Sequence, residues 1–312
     1  MKMTLPFTCP CESKSRLKSI DGGYICTKEG CEHALEDNRF PIVNGIPVLV
    51  SETKCDTVCE AGSTQTYISR PLRDYSFIRK LVVGEGTTTK DNCKVFIEEL
   101  FRINEYPKVL VIGSGEKGSG TEMLWNNNSI EVHGIDVYGT DSTHAICDAH
   151  YLPFEGESYD GVWIQAVLEH VVQPTMVVDE IFRVLKLSGI VYAETPFMQQ
   201  VHEGAYDFTR FTVLGHRYLF NRFEAIRFGG NKGPELVFAW SIRYLVWSIT
   251  RSRALGRIVG LAIGLLMRPL EYLVSNESMH DASSGVFFLG RKLANHTLTH
   301  KELIKLYRGQ MK

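Results

Sequence analysis

The segments Val109-Leu-Val-Ile-Gly-Ser-Gly-Glu-Lys-Gly118 and Ile130-Glu-Val-His-Gly-Ile-Asp136 carry the strongest signal for the fold of this chain. The first runs from apolar residues directly into a glycine-rich turn, and the second is a strand that ends in an acid. Glycine allows positive φ angles and lets a ligand approach the backbone closely. A carboxylate at the end of the neighbouring strand can accept hydrogen bonds from a ribose diol. The pattern predicts a nucleoside-type cofactor at the carboxyl ends of a parallel sheet.

Further predicted strands and helices alternate after Asp136, a pattern typical of a parallel sheet with right-handed crossovers. An amphipathic helix begins near Pro174, and another is predicted over 91–103. Together with the two strands above, the predicted strands cover 144–148, 159–165, 190–195, 224–228 and 286–289. We therefore predict an α/β fold with a Rossmann-like, mostly parallel sheet of seven strands and helices on both faces.

The composition suits a folded globular protein, with 44% hydrophobic and 22% charged residues among 312. The net charge of -2 gives no global field that would attract nucleic acid, so we expect no nucleic-acid partner. The N-terminus lacks the apolar core of a signal peptide. The longest uncharged apolar run, Ile258 to Met267, is shorter than the roughly 20 residues of a spanning helix. These features predict a cytoplasmic protein whose eight cysteines bind metal or stay free thiols.

Four motifs after the glycine turn identify the protein class that the chain resembles. In order they are Asp148-Ala-His-Tyr-Leu-Pro-Phe154, Asp160-Gly-Val-Trp163, Leu168-Glu-His-Val171 and Arg183-Val-Leu-Lys186. Their order and spacing resemble class I S-adenosylmethionine-dependent methyltransferases, above all the branch that modifies small molecules and glycans. A dinucleotide-dependent dehydrogenase would share the glycine turn and the following acid. That alternative does not account for these motifs, and the chain shows no second mononucleotide-binding half.

The resemblance implies a role for individual residues in binding S-adenosylmethionine. The glycine turn would approach the methionine part of the cofactor, Asp136 would accept hydrogen bonds from the ribose hydroxyls, and Asp148 would meet the adenine amino group. Gln165 would line the cleft near the sulfonium. The full implied set is Gly113, Ser114, Gly115, Asp136, Val137, Asp148, Ala149 and Gln165. Two departures concern the fine geometry: Val111 replaces the acid usual in the family, and an extra residue in the turn displaces Gly118.

Catalysis of methyl transfer consists mainly of aligning the acceptor with the methyl group, and a hydroxyl acceptor also needs a base. The segment Pro196-Phe-Met-Gln-Gln-Val-His202-Glu-Gly-Ala-Tyr-Asp207-Phe-Thr-Arg210-Phe-Thr212 resembles a His-x-x-x-x-Asp-x-x-Arg segment of polysaccharide-associated methyltransferases. We hypothesise that His202 is the general base and that Asp207 or Arg210 orients the acceptor or holds the loop. Alternatively, Asp207 and Arg210 form an ion pair and His202 packs. His170 is a competing base or a packing residue.

The N-terminal segment contains four cysteines, Cys9, Cys11, Cys26 and Cys31, and then two short apolar strands around an Asn-Gly turn within 40–50. It resembles the zinc-ribbon-like domain found beside some methyltransferases, which implies that the four thiolates bind Zn²⁺. The spacing departs from the usual two-residue gaps, and His33 could replace one ligand. A degenerate ribbon with free thiols is the alternative.

Residues 236–270 contain five arginines and no acidic residue, within a strongly apolar sequence. We predict two helices inserted into the fold there. Because a fully solvated helix would not be so apolar, we expect a hydrophobic contact of this segment. In one interpretation the helices form a lid or a homodimer face; in the other they lie on a membrane surface, with the arginines on anionic headgroups.

We predict four regions in a bacterial-type protein: a zinc-ribbon-like module (1–52), a linker (53–90), a methyltransferase domain (91–295) with a helical insertion near 235–275, and a C-terminal helical tail (296–312). The predicted activity is O-methylation of a sugar or lipid-linked glycan in polysaccharide biosynthesis. The predicted location is the cytoplasm or the inner face of the membrane. The alternatives are a non-catalytic cofactor-binding scaffold, and a methyltransferase acting on RNA or protein.

Overall fold

Four short strands form an antiparallel sheet at the N-terminal end of the chain, in a computed structural model that describes residues 5–11, 13–51 and 87–311. These strands are β1 (Leu17–Ile20), β2 (Gly23–Cys26), β3 (Phe40–Val43) and β4 (Ile46–Pro47). Asn44 and Gly45 connect β3 to β4, both with positive φ, as the Asn-Gly pair predicts. The segment 52–86, which holds most of the predicted linker, lies outside the described residues.

Seven strands form the main sheet, in the order β10-β11-β9-β8-β5-β6-β7. They are β5 (Lys108–Ile112), β6 (Glu131–Asp136), β7 (Ala145–Ile146), β8 (Tyr159–Gln165), β9 (Leu185–Pro196), β10 (Phe223–Gly230) and β11 (Gly285–Lys292). The strands β5 to β9 pair in parallel, whereas β11 pairs antiparallel with both β9 and β10. The prediction of an α/β fold with seven mostly parallel strands is confirmed.

Eight α-helices are described. They are α1 (Thr87–Ile103), α2 (Glu122–Trp125), α3 (Pro174–Val184), α4 (Val213–Leu219), α5 (Pro234–Thr250), α6 (Arg253–Met267), α7 (Asn276–Ala282) and α8 (His300–Lys305). The pair α5 and α6 forms a helical hairpin in the chain between β10 and β11, where two inserted helices were predicted. No helix in the described ranges is long and apolar enough to cross a membrane.

Helices cover both faces of the main sheet, and the alternation of side chains along β5 shows how. Leu110 and Ile112 belong to one buried cluster with Val177 and Ile181 of α3. Val109 and Val111 point to the other face, in a cluster with residues of α1. Because both faces are covered, the central strands are nearly continuous apolar runs, as is typical of parallel sheets.

The boundaries differ from the predictions in two places. Strand β9 begins at Leu185, directly after α3, so it is longer than the predicted 190–195. Helix α1 begins at Thr87 and so includes the last residues of the predicted linker. The division of the chain into domains otherwise stays a prediction.

Candidate functional site

The glycine turn after β5 is held by strand β6. The amides of Gly113 and Ser114 both donate to the carbonyl of Ile135, over 2.9 and 3.0 Å. Gly113 has a φ of 81°, and a Cβ there would lie 2.2 Å from a methyl group of Val167. Only glycine fits this position, because a side chain would meet both strain and a clash. The turn therefore presents bare backbone at the carboxyl edge of the sheet.

Asp136 lies at the end of β6 and is bound by two backbone amides. Gly115 donates to Oδ2 over 2.6 Å, and Val137 donates to Oδ1 over 2.7 Å. Each carboxylate oxygen can accept more than one hydrogen bond, so the group can also accept ribose hydroxyls. The structure thus brings together the predicted residues of the turn and the predicted ribose acid.

Asp148 lies one strand further along the same edge, where it caps a short turn that begins with the buried residue Ala149. Its Oδ1 accepts from the backbone amide of His150 over 2.9 Å and contacts the Nδ1 of that residue at 2.7 Å. Its Oδ2 is buried and has no hydrogen-bond partner among the described residues. An unpaired buried acceptor costs about 1–3 kcal/mol, so this atom indicates a site for a ligand donor. The Oγ of Ser114 is buried and unpaired in the same way.

Gln165 ends strand β8 between the glycine turn and a large cavity. Trp163 donates its indole N–H to the Gln165 Oε1 over 3.3 Å. The same Oε1 lies so close to Gly118 that a Cβ there would be 2.2 Å away. The next residue, Ala166, has the left-handed φ of 54°, which is strained for a side-chain-bearing residue. Such strain is often retained beside functional sites.

The cavity has a volume of about 750 Å³ and lies beyond the ends of β8 and β9. The strand ends, the segment after β9 and the helical hairpin form its walls. From the strand ends it is lined by Gln165, Ala166 and Glu194; from the two loops by Glu169, Gln199, Gln200 and His202; from the hairpin by Trp240, Arg243, Tyr244, Trp247, Arg253 and Arg257. Its position, beside the cofactor residues, is where such sheets accept a second ligand.

The four predicted catalytic residues lie together, and His202 among them lines this cavity. Arg210 binds both oxygens of Asp207. The Nδ1 of His202 lies 3.1 Å from the Oδ2 of Asp207, and the rings of His170 and His202 meet edge to face with centroids 5.0 Å apart. Hydrogen bonds from Arg210 and His202 outweigh burial and lower the pKa of Asp207 to about 2. The predicted alternative, an Asp207–Arg210 ion pair, is therefore present, with His202 attached to it. The general-base role of His202 stays a prediction.

Glu169 is a member of this cluster that the sequence analysis did not single out. It is fully buried, and neither carboxylate oxygen has a hydrogen-bond partner in the described part of the chain. Its backbone carbonyl accepts from the amides of Phe208 and Thr209, which docks the segment after β9 onto it. Burial raises the pKa of Glu169 to about 8, although the charge of Arg210 lowers it. The sequence feature that could have pointed to Glu169 is its position as an acid between the apolar residues Leu168 and Val171.

Glu194 is a second residue that the sequence analysis missed. It lies near the end of β9, where Tyr192 and Thr89 donate to its Oε2 over 2.6 and 2.8 Å, and Asn231 donates to its Oε1 over 2.5 Å. Burial raises the pKa of Glu194, although these hydrogen bonds lower it. An acid at the carboxyl end of a strand as apolar as β9 was the signal that could have found it.

The four predicted metal ligands of the N-terminal module also lie together. The sulfur atoms of Cys9, Cys11, Cys26 and Cys31 are all within 4.8 Å of one another. His33 lies apart from this set, since its ring packs on Phe40 with centroids 4.2 Å apart and its Nδ1 lies 2.9 Å from the carbonyl of Asn38. The structure therefore brings the four cysteines together and leaves His33 outside them, and zinc binding stays a prediction.

A family model described as "Methyltransferase domain" matches residues 110–193, the span of the cofactor residues described above. These residues are therefore similar to a methyltransferase domain. The predictions of a methyltransferase enzyme with S-adenosylmethionine as its cofactor are confirmed. The glycan branch and the zinc-ribbon identity rest on the sequence resemblance alone.

Similar solved structures include other methyltransferases. Geranyl diphosphate C-methyltransferase from Streptomyces coelicolor A3(2) is 11% identical, with a TM-score of 0.44, over 74% of this chain and 91% of that one. Phosphoethanolamine N-methyltransferase 2 from Haemonchus contortus is 17% identical, with a TM-score of 0.42, over 70% of this chain and 56% of that one. The comparison with curated proteins finds no match.

The residues of the methyltransferase domain fit S-adenosylmethionine. The unpaired Oδ2 of Asp148 can accept from an adenine amino group. Next to the glycine turn, Val167 packs against Gly113 and Tyr138 packs against Gly115. When bound, the cofactor supplies an activated methyl group on its sulfonium. The assignment of individual cofactor contacts stays a prediction.

Proposed function

We propose that the protein transfers the methyl group of S-adenosylmethionine to a hydroxyl group of a sugar that is linked to a lipid phosphate. The observation that supports this proposal most is the cavity between the strand ends and the helical hairpin. It begins at Gln165 and Glu194, beside the cofactor residues, and its volume of about 750 Å³ suits a small-molecule acceptor. Methyl transfer then requires that the acceptor oxygen lie in line with the methyl group.

Three arginines on the hairpin side of the cavity support an acceptor that carries phosphate. Arg243, Arg253 and Arg257 line the cavity, and none of them forms an ion pair with a residue of the described ranges. Guanidinium groups bind phosphate through paired N–H donors. Their unmatched charge favours a phosphate or diphosphate group in this part of the cavity.

Three aromatic side chains on the same wall support a sugar. Trp240, Tyr244 and Trp247 line the cavity, and the Tyr244 hydroxyl donates to the carbonyl of Val201 over 2.9 Å. That bond ties the hairpin to the segment after β9. Aromatic rings offer flat apolar faces with a polar edge, which suits the C–H face of a sugar ring beside its hydroxyls.

The test is an acceptor screen with S-adenosylmethionine labelled on the methyl group, read by mass spectrometry. The panel contains a lipid-diphosphate-linked sugar, the same sugar without the lipid phosphate, and a small amine. We expect label on the lipid-linked sugar and a KM raised about tenfold or more in Arg257→Gln. Arg251→Gln is the matched control, because Arg251 is exposed on the same hairpin outside the cavity lining. Label on the amine alone would contradict the proposal.

We also propose that the hairpin contacts the inner face of a membrane, where a lipid-linked acceptor would be found. Several apolar side chains of the hairpin are exposed, among them Leu245, Ile249, Ile258 and Leu266. Five arginines and no acid lie in 236–270, which suits anionic headgroups. The homodimer face is the alternative for the same surface.

Co-sedimentation with vesicles of anionic phospholipid tests this contact. We expect the wild-type protein to sediment with the vesicles and Ile258→Asp to lose most of this binding. Leu35→Asp changes an equally exposed apolar residue of the N-terminal module and serves as control. A concentration-dependent dimer that Ile258→Asp disrupts, together with no vesicle binding, would favour the homodimer.

For the N-terminal module we propose one Zn²⁺ on Cys9, Cys11, Cys26 and Cys31. The convergence of the four sulfur atoms supports it, since structural zinc is usually bound by four tetrahedral ligands. Metal analysis of the purified protein should give one zinc per chain, which Cys26→Ser lowers and His33→Ala does not. An absence of zinc in protein purified under reducing conditions would favour the degenerate ribbon.

A further inference from the structure

Two imidazoles and one carboxylate converge at the wall of the cavity. The Nε2 of His170 lies 3.5 Å from the Oε1 of Glu169, and the Nε2 of His202 lies 3.9 Å from the same oxygen. One ligand atom from each of the three residues lies within 4.8 Å of the others. Two ligands that share an ion at about 2.1 Å can be at most about 4.2 Å apart, and both nitrogen–oxygen distances are shorter than this.

Both imidazoles are oriented by their other nitrogen. The Nδ1 of His170 lies 2.6 Å from the carbonyl of Tyr206, and because a carbonyl only accepts, this nitrogen carries the proton. The Nδ1 of His202 contacts the carboxylate of Asp207, which Arg210 holds in place. Histidines that bind metals usually donate their second N–H to a carbonyl or carboxylate in this manner. Each Nε2 is thereby left with its lone pair toward Glu169.

The carboxylate at the centre has no other partner in the part of the chain that the structure describes. Glu169 has no exposed side-chain surface, and both its oxygens lack a hydrogen bond within the described ranges. A buried carboxylate without a partner is costly, and it is retained where it is paired or coordinates a metal. Protonation would neutralise Glu169 and provide one O–H donor, but it would leave the lone pair of at least one imidazole without a partner.

We propose that Glu169, His170 and His202 bind one divalent transition-metal ion, with coordination positions open toward the acceptor cavity. Two histidines and one carboxylate suit ions such as Mn²⁺, Fe²⁺ or Zn²⁺. Asp207 acts as a positioning residue through His202. Glu169 and His202 both line the cavity, so an acceptor bound there can reach the ion.

The consequence for catalysis rests on the proposed O-methylation. An acceptor hydroxyl that binds the ion becomes more acidic, because the positive charge stabilises the alkoxide. Its proton passes to water in the cavity, the oxygen takes the methyl group, and S-adenosylhomocysteine leaves. In this mechanism the Nε2 of His202 binds the ion, whereas the general-base hypothesis places the same lone pair on the acceptor proton.

The experiment is a titration of the full chain with Mn²⁺, after treatment with a chelator, followed by the electron paramagnetic resonance signal of the free ion. Mn²⁺ is the probe because the thiolates of the N-terminal module favour softer ions. We expect one Mn²⁺ per wild-type chain and an affinity lowered about tenfold or more in Glu169→Gln and in His202→Ala. Asp207→Asn should weaken binding as well, through the orientation of His202.

His300→Ala is the matched control, because His300 is an exposed histidine outside the cavity lining. Unchanged Mn²⁺ binding in both Glu169→Gln and His202→Ala, or no binding by the wild type at millimolar Mn²⁺, would overturn the proposal. Because His202 is partly exposed, we expect the His202→Ala variant to fold. It therefore still tests the metal site if the buried Glu169→Gln variant does not fold. Calorimetry with S-adenosylhomocysteine on the same samples separates the two proposals, since its failure would count against the methyltransferase activity and not against the metal site.

Discussion

At the scale of single residues, Asp136 and Asp148 have the same position in the sequence pattern and different surroundings in the structure. Asp136 is the last residue of β6 and Asp148 follows β7, and the family resemblance implies a cofactor contact for both. Backbone amides donate hydrogen bonds to both oxygens of Asp136. The Oδ2 of Asp148, in contrast, is buried without a hydrogen-bond partner among the described residues. The difference depends on the turn geometry at Gly115 and His150, which residue types alone do not specify.

This unpaired oxygen leads to a prediction for cofactor affinity. Asp148→Asn would present an amide N–H₂ group to the adenine amino group and lose a hydrogen bond to a charged acceptor. Such a bond contributes about 1.5–3 kcal/mol, so we expect S-adenosylhomocysteine to bind roughly 10- to 100-fold more weakly. Isothermal titration calorimetry measures the effect. Asp141→Asn, at an exposed aspartate in the preceding loop, is the control, and equal affinities of the two variants would contradict the assignment.

Glu169 and Glu194 are site residues whose roles the sequence pattern did not predict. The resemblance supplied the Leu-Glu-His-Val motif but gave no role to its acid, and Glu194 was included in a strand. Each residue matters because of partners distant in the chain: His202 near Glu169, and Thr89 and Asn231 around Glu194. Such pairings follow from the packing of α1, β9 and β10 and have no local signature.

His216 leads to a prediction for stability against pH. Its ring is fully buried, with its Nε2 3.1 Å from the Oγ1 of Thr195, and burial lowers the pKa of His216 from 6.5 to about 3. Protons therefore bind the unfolded chain more tightly than the folded one between these values. The contribution of the neutral, buried His216 to the free energy of unfolding is therefore fully present above about pH 6.5. It is lost progressively as the pH falls toward 3.

Between pH 7 and pH 5 this single group should cost about 2 kcal/mol of unfolding free energy. His216→Gln removes the titration while keeping a side chain able to hydrogen-bond Thr195, so its loss over the same interval should be smaller by that amount. Urea denaturation at both pH values measures the difference. His133 and His144 also have lowered pKa values, but they are present in both proteins and cancel. Equal losses in the two proteins would contradict the prediction.

At the scale of elements, periodicity predicted β8 at its observed bounds and the start of α3 at Pro174. It failed at the junction of α3 and β9, because Leu185 is apolar and fits either element. Its buried side chain belongs to the same cluster as Val184 of the helix. The two helices of the hairpin were predicted from composition, but their packing was not.

The hairpin packs closely because α6 presents glycines to α5. Gly256, Gly260 and Gly264 are the buried residues of α6, four positions apart on one face. A Cβ on Gly256 would lie 2.8 Å from the Arg243 carbonyl oxygen, and one on Gly260 would lie 2.7 Å from the Arg243 Cβ. Because these atoms belong to the backbone or the base of a side chain, they cannot move aside without shifting a helix.

We therefore expect Gly260→Leu to lower the free energy of unfolding by about 1–3 kcal/mol through overpacking, although leucine favours helix more than glycine. Ala262→Leu adds a larger side chain on the exposed side of the same helix and should change stability by less than about 0.5 kcal/mol. Chemical denaturation of both variants measures the difference. A Gly260→Leu variant as stable as the wild type would show that the hairpin packs less closely.

At the scale of the whole molecule, the N-terminal sheet and the main sheet share one buried cluster. It contains Phe7, Cys9 and Phe40 together with Leu110 and Ile164 of the central strands. Backbone pairing crosses the junction at Phe7 with Phe154 and at Val48 with Ile146, and Lys14 forms an ion pair with Glu180 over 3.0 Å. The sequence predicts a small N-terminal module from its cysteines and turn, but a pattern of local elements does not reveal which surfaces the module shares with the rest of the chain.

This continuity predicts that the two parts unfold together. Phe7 is buried, with its ring 5.5 Å from that of Tyr24 in the module and 5.9 Å from that of Phe154 in the methyltransferase domain. Phe7→Ala should lower the free energy of unfolding by about 3–5 kcal/mol. The four tryptophans all lie at position 125 or beyond, so their fluorescence reports on the methyltransferase part alone.

The expected result is a shift of the tryptophan-monitored urea transition to lower denaturant in Phe7→Ala, with the slope of the transition unchanged. Leu35→Ala, at an exposed apolar residue of the same module, should leave that transition where it is. If Phe7→Ala left the midpoint of the tryptophan-monitored transition unchanged, the N-terminal module would unfold independently of the methyltransferase part. The shared cluster argues against this outcome, because removing an aromatic ring at the junction opens a cavity that residues of both sheets line.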